Sequence, residues 1–327
     1  MDNLLAVARQ VAVLFVLMGL GAALRKARLL SDAALAGLVN ILILVVTPCL
    51  IIDVFQRPFD PAMLKGLGCA FALAVLIHVI LIFLARAVVR NRATDVRRPL
   101  LLAAVFSNAG FMGIPLQQAV LGDAGVFYGT VYVAVFNLFI WSWGVGVMKK
   151  EKSAGRDEGA VRRAGICHCS AAVFQSIVNP GTIGLAFGAP LFFLSVKLPT
   201  VIGAPIHHLA NLNTPLAMLV IGHCLVGADF GKVIRTGAVY VAAFARLVVG
   251  PLLAITLLYP LRSLLDWNMM LATVIAASTP VAAMVSMFAT KYRRDVDVSV
   301  AVVSGTTLVS IFTMPVMIAF AMGLLSH

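Results

Sequence analysis

Charge is scarce in this chain. Asp, Glu, Lys and Arg make up 12% of its residues, about half their share in a soluble domain. Acidic residues number only 13, and none lies at the centre of an apolar run. HExxH is missing, as are paired acidic residues within those runs and a Ser-His arrangement of recognisable spacing. These gaps argue against a metalloprotease or an intramembrane hydrolase. Nothing repeats in the manner of a channel filter. The five cysteines, Cys49, Cys69, Cys167, Cys169 and Cys224, form neither a disulfide framework nor a CxxC pair. Cys167-His168-Cys169 lacks a second ligand pair, so it reads as a membrane-proximal stretch rather than a metal site.

What the chain has is hydrophobic residue, 61% of the total, with a mean hydropathy of +1.03. Apolar runs recur at the length that crosses a bilayer, about 20 residues. The expected spans are 4–24, 32–56, 62–89, 99–121, 124–148, 173–195, 200–226, 233–259, 264–290 and 296–325. The first is not a cleavable leader by its pattern. Asp2 precedes it, and Arg25-Lys26 follow it in place of a small-residue cleavage site.

The net charge of +12 does not point to nucleic acid, because of where it lies. With ten spans, one set of alternate loops holds 19 of the 25 basic residues, and the other holds Arg57, Lys65, Lys197 and Arg262. The positive-inside rule makes the basic side cytoplasmic and places both termini outside. Residues 149–170 are the only long polar segment and divide the chain into five and five. Residues 1–148 and 171–327 then form two five-span halves of opposite orientation, the inverted repeat of secondary transporters.

Breaks within the spans support that division. Thr47-Pro48 in span two and Thr214-Pro215 in span seven lie 167 residues apart. Span four carries Ser107, Asn108, Gly110, Gly113 and Pro115, and span nine carries Ser278, Thr279 and Pro280. Ser107 and Ser278 lie 171 residues apart. Backbone freed by Pro or Gly at membrane depth is tolerated only inside protein or along a cavity. At Thr47-Pro48 the Thr hydroxyl is placed to take a freed carbonyl.

An unwound span exposes a half-helix N-terminus, which attracts carboxylates. If spans four and nine cross at their breaks, two such ends meet. Neutral polar groups accompany them: Ser107, Asn108, Ser278, Thr279 and, in span five, Asn137. The nearest carboxylate is Asp53, about five residues beyond Pro48, which makes a cation less expected as the main substrate. Arg246 in span eight is a substrate-binding candidate, the alternative being a bond to backbone carbonyls. His78, His207, His208 and His223 read as hydrogen-bonded packing residues. The ligands expected from the residues are thus a small organic anion and the lipid bilayer, with no cofactor and no metal.

The segments TPCLI, SNAGFMGIPL, NPGTIGLAFG, NTPLAMLVIG and ASTPVAAM, beginning at Thr47, Ser107, Asn179, Asn213 and Ala277, resemble the auxin efflux carrier family. The likeness is to its bacterial branch, related to the plant auxin exporters and to bacterial malonate and malate carriers. The resemblance implies an all-helical elevator fold shared with bile-acid symporters and sodium–proton antiporters. Spans 1, 2, 6 and 7 would form a scaffold that dimerises, and spans 3–5 and 8–10 a mobile transport domain. It implies crossing-point roles for Asn108, Thr279 and Pro280, and a site role for Asn137. Ser278-Thr279 stands where plant members have an amide, which points away from auxin and towards malonate or malate. The rival reading is a sodium-coupled symporter of larger organic anions. A coupling ion would be H+ or Na+, with Asp53 as its candidate group. The expected location is the bacterial cytoplasmic membrane.

Overall fold

The computed structural model describes residues 2–89, 94–149, 180–226 and 237–325. Most of the central segment 149–170, with Cys167, His168 and Cys169, lies outside them. So do the loop residues Arg90, Arg92, Lys232 and Arg235. Among the described residues the fold is all-helical. Six helical stretches are long and apolar enough to cross a membrane: 33–55, 61–88, 109–148, 200–226, 239–261 and 296–325.

The helices run in this order. Helix α1 is Asp2–Lys26. α2 (Asp32–Ile41) passes through a π-turn (Leu42–Val46) into α3 (Thr47–Phe55). α4 is Pro61–Val88 and α5 is Thr94–Val105. A π-turn (Ala109–Gly113) leads into α6 (Ile114–Phe139), and a third (Ile140–Gly144) into α7 (Val145–Met148). After the central segment come α8 (Pro180–Phe193), α9 (Thr200–Asn211) and α10 (Asn213–Val226). α11 (Gly237–Phe244) passes through a π-turn (Ala245–Val249) into α12 (Gly250–Leu258). α13 (Trp267–Ser278), α14 (Met284–Lys291) and α15 (Val296–Leu325) follow.

Each interruption has a local cause. The stretch 109–148 is 40 residues, about 60 Å if straight and twice a bilayer core. It changes course at Gly122, whose φ of 62° and ψ of −152° suit a residue without Cβ. Three of the π-turns end two residues before a proline: 42–46 before Pro48, 109–113 before Pro115 and 245–249 before Pro251. Proline cannot donate to the carbonyl four residues back and clashes with it; a wider turn moves that carbonyl aside. Thr47-Pro48 is therefore not an unwound break. The helix stays continuous, and the Thr47 hydroxyl donates to Leu42 O at 2.8 Å. In the second half the discontinuity falls at Leu212, with Thr214 and Pro215 in the first turn of the helix that follows.

Hydrocarbon supplies no hydrophobic drive between helices, so close packing of small residues holds them together. α1 lies along α10, and α3 along α8. A methyl on Gly21 would collide with the Leu219 carbonyl, and one on Gly222 with the Met18 carbonyl. A methyl on Gly184 would press on Pro48 at 2.9 Å, and one on Gly188 on Phe55 at 3.0 Å. Arginines hold several helix ends at the basic face. Arg294 donates to Met148 O at 3.0 Å and pairs with Asp95 at 2.5 Å. Arg97 donates to Val89 O at 2.9 Å, and Arg25 to His223 O at 3.0 Å. Basic side chains suit helix C-termini.

The glycine contacts yield a prediction. Gly222→Ala must push α1 off α10 and is expected to lower stability by about 1–3 kcal/mol. Gly37→Ala, with nothing within 4 Å of the added carbon, is expected to leave stability unchanged or raise it slightly. Thermal unfolding of the two purified variants checks this, and equal melting temperatures would contradict it.

Candidate functional site

Two half-helices end facing each other. α5 stops at Val105 and α13 at Ser278, each 12 residues long, about 18 Å and short of a full crossing. The chain then leaves the helix at 106–108 and 279–281, and the two segments pair as an antiparallel bridge, Ser107 with Val281. Asn108 N–H donates to Pro280 O at 2.7 Å, and Ala282 N–H to Phe106 O at 3.0 Å. A third helix completes the pairing: the Thr306 hydroxyl of α15 accepts Val281 N–H at 3.2 Å. Farther along, buried Gln117 of α6 donates to Ala272 O of α13 at 2.8 Å.

The carbonyl ends of both half-helices are also occupied. Ser278 Oγ donates to Val274 O at 2.7 Å and Thr279 Oγ1 to Ala276 O at 2.9 Å. Arg246 is wholly buried; its Nη1 donates to Val105 O at 2.8 Å and its Nη2 to Ala277 O.

Beyond the bridge the helices resume, and their first turns open into a cavity of about 280 Å³. Gly110 and Phe111 line it from one half-helix start, and Ala282, Ala283 and Met284 from the other. First-turn N–H groups lack an acceptor within their own helix. Polar side chains in the lining are Thr47, Ser107, Asn108, Thr130, Asn137 and Asn213. The Asn137 amide donates one bond to Val133 O at 3.0 Å. Ile43, Leu50, Phe136, Trp141 and Met287 contribute much of the remaining wall, and among the described residues no charged side chain lines it.

Of the residues singled out in the sequence, Thr47, Ser107, Asn108, Gly110 and Asn137 come together on this cavity. Gly113 and Pro115 sit buried just behind it, in the turn that restarts α6. Ser278, Thr279 and Pro280 belong to the crossing but not to the cavity wall, because both hydroxyls turn back onto their own helix. Arg246 stands behind the crossing on backbone carbonyls. Pro48, Thr214 and Pro215 shape their helices outside the lining. Asp53 faces away and meets His207 Nδ1 at 2.9 Å. Asn213, Thr130 and Thr306 were not singled out. Asn213 stands beside the Thr214-Pro215 signal, whereas Thr130 and Thr306 look like any hydroxyl in an apolar helix.

Thr306 allows a test of the crossing. Thr306→Val keeps the shape but leaves Val281 N–H buried without an acceptor, at a cost of about 1–3 kcal/mol. Thr306→Ser is expected to retain most of the stability. Chemical or thermal unfolding of both variants checks this, and a Val variant as stable as the Ser variant would refute the role.

The cavity is walled by neutral polar and apolar side chains among the described residues. No curated protein matches the chain. Residues 6–318 match the family described as membrane transport protein, a family of carriers rather than enzymes and the one that the motifs at Thr47, Ser107, Asn213 and Ala277 resemble. The chain belongs to the auxin efflux carrier family of multi-pass membrane transport proteins.

Proposed function

We propose that this protein is a secondary transporter of small organic anions that works by elevator-type alternating access. One observation carries the reading: a cavity without a charged side chain among the described residues, onto which the first turns of two crossing half-helices open. A carboxylate placed there meets free N–H groups near Gly110, Phe111 and Met284 and the positive ends of two helix dipoles. The Asn108 and Asn137 amides stand beside it. Each hydrogen bond to the charged group is worth about 1.5–3 kcal/mol, so the site needs no lysine or arginine.

Two features support the inverted-repeat architecture. Pairing α1 with α10 and α3 with α8 is what results when spans one and two exchange with six and seven. Gly21 and Gly188, at the two contacts, lie 167 residues apart, the offset of the two Thr-Pro pairs. The cavity then lies between scaffold residues Ile43, Thr47, Gly181 and Asn213 and transport-domain residues Asn108, Asn137 and Met284. Sliding the second set past the first is the elevator step. Trp141, Pro180 and Met287 line the cavity near the helix ends at Met148 and Pro180, and the basic charge of the loop sequence between them supports reading that face as cytoplasmic. At the far ends of their helices Phe55, Phe127 and Phe192 close together, with ring centres 4.8–6.3 Å apart. The conformation is accordingly inward-facing, in a bacterial cytoplasmic membrane with both termini outside.

The wall also bears on the substrate. Malonate and malate, the sequence's first choices, would bring a second carboxylate into a wall that has no cation among the described residues. That group must stay in water or carry a proton. The lining favours a single carboxylate on an apolar body, within the same mono- or dicarboxylate class. Inward movement of an anion opposes the membrane potential by about 2.3 kcal/mol per charge per 100 mV; efflux follows it.

Counterflow in proteoliposomes against a panel of mono- and dicarboxylates tests the reading. Saturable exchange of at least one small carboxylate is expected, unchanged when choline replaces sodium. Exchange that requires sodium would favour the symporter of larger organic anions, and no exchange of any carboxylate would reject the reading. Asn108→Ala is expected to raise the half-saturating concentration about 10- to 150-fold. Its folding should survive because the bridge uses the Asn108 backbone, and wild-type affinity in that variant would remove Asn108 from the site.

A further inference from the structure

Arg246 is the largest fully buried side chain among the described residues, and the transport reading gives it no task. It lies outside the cavity lining. Among the described residues no carboxylate pairs with it; its ionisable neighbours are Tyr132 and His78. An uncompensated charge at this depth is costly, so its counter-charge has to be found in the backbone.

That counter-charge is the crossing itself. α5 and α13 both run towards it and end there. Each helix C-terminus carries a partial negative charge of about one half, so two like ends face each other away from water. The guanidinium bridges them, with one Nη on Val105 O and the other on Ala277 O. A planar fork with fixed donors fits two carbonyls as a flexible ammonium does not. One positive charge balances two half charges.

The surroundings are shaped for it. A Cβ on Gly250, one turn along, would collide with Nη2, so a side chain there would push the guanidinium from its place. The π-turn Ala245–Val249 holds Arg246 in place.

Half-helix C-termini and unwound carbonyls at such crossings are also where carriers coordinate a coupling sodium. We propose that Arg246 is a tethered counter-cation, a positioning residue that permanently fills the place a free monovalent cation would take at this crossing. Removing its side chain leaves two half-helix C-termini facing an empty, guanidinium-shaped site. The inference rests on the crossing and not on which anion is carried.

Melting temperatures of the purified full-length protein test it without any substrate. Arg246→Gln keeps hydrogen-bonding capacity but loses the charge, and is expected to melt roughly 5–10 °C lower. Arg246→Lys keeps the charge and is expected to lose clearly less. Arg246→Ala is expected to fall as far as Arg246→Gln. It should regain at least half of that loss in millimolar guanidinium chloride, far below denaturing concentration, with no gain in the same concentration of choline chloride. Wild type should not respond to either salt. Failure of guanidinium to stabilise Arg246→Ala overturns the proposal. If that variant cannot be purified, the other two decide: Lys and Gln variants that behave alike, both stable or both lost, overturn it, and a stable Lys variant beside a destabilised Gln variant sustains it.

Discussion

A backbone that leaves the helix inside a bilayer has to find hydrogen bonds within the protein, because hydrocarbon offers none. Here two chain segments leave the helix at one place and satisfy each other. Asn108 N–H reaches Pro280 O, and Ala282 N–H reaches Phe106 O. Everything near the cavity follows from this two-bond bridge. It sets the half-helix ends opposite one another and fixes which N–H groups remain free. It also separates the two polarities of the crossing, with carbonyl ends on one side and amide ends on the other.

The two sides are treated differently. Carbonyl ends are filled from within the protein, by Ser278, Thr279 and Arg246. Amide ends are left open to the cavity. Donors from the half-helix starts facing the cavity are the basis of the proposed anion selectivity.

Glycine and proline divide the remaining work. Glycines at 21, 184, 188 and 222 let whole helices touch, where any side chain would hold them apart. Prolines at 48, 115 and 251 each follow a π-turn that absorbs their clash. Among the described residues the helices stay continuous through these prolines, and they are interrupted at the crossing, at the turn through Gly122 and at Leu212.

The sequence by itself determined the class and the location of the unwinding. Apolar runs of bilayer length, one-sided basic loops and the clusters Ser107–Pro115 and Ser278–Pro280 are local patterns, and local patterns survive in one dimension. Asn108 and Asn137 were legible because an amide at membrane depth must have a reason. Which side chains share a wall was not legible. Asn213 reaches the cavity only because α10 lies beside the crossing, and Thr306 serves Val281 from a helix late in the chain. Ser278 and Thr279 looked like ligands and proved to cap their own helix, since a hydroxyl bonds whichever carbonyl is nearest. Arg246 could be read equally as a substrate group or a backbone partner. The position of two helix ends some 140 and 30 residues away in sequence decided it, and only tertiary packing sets that distance.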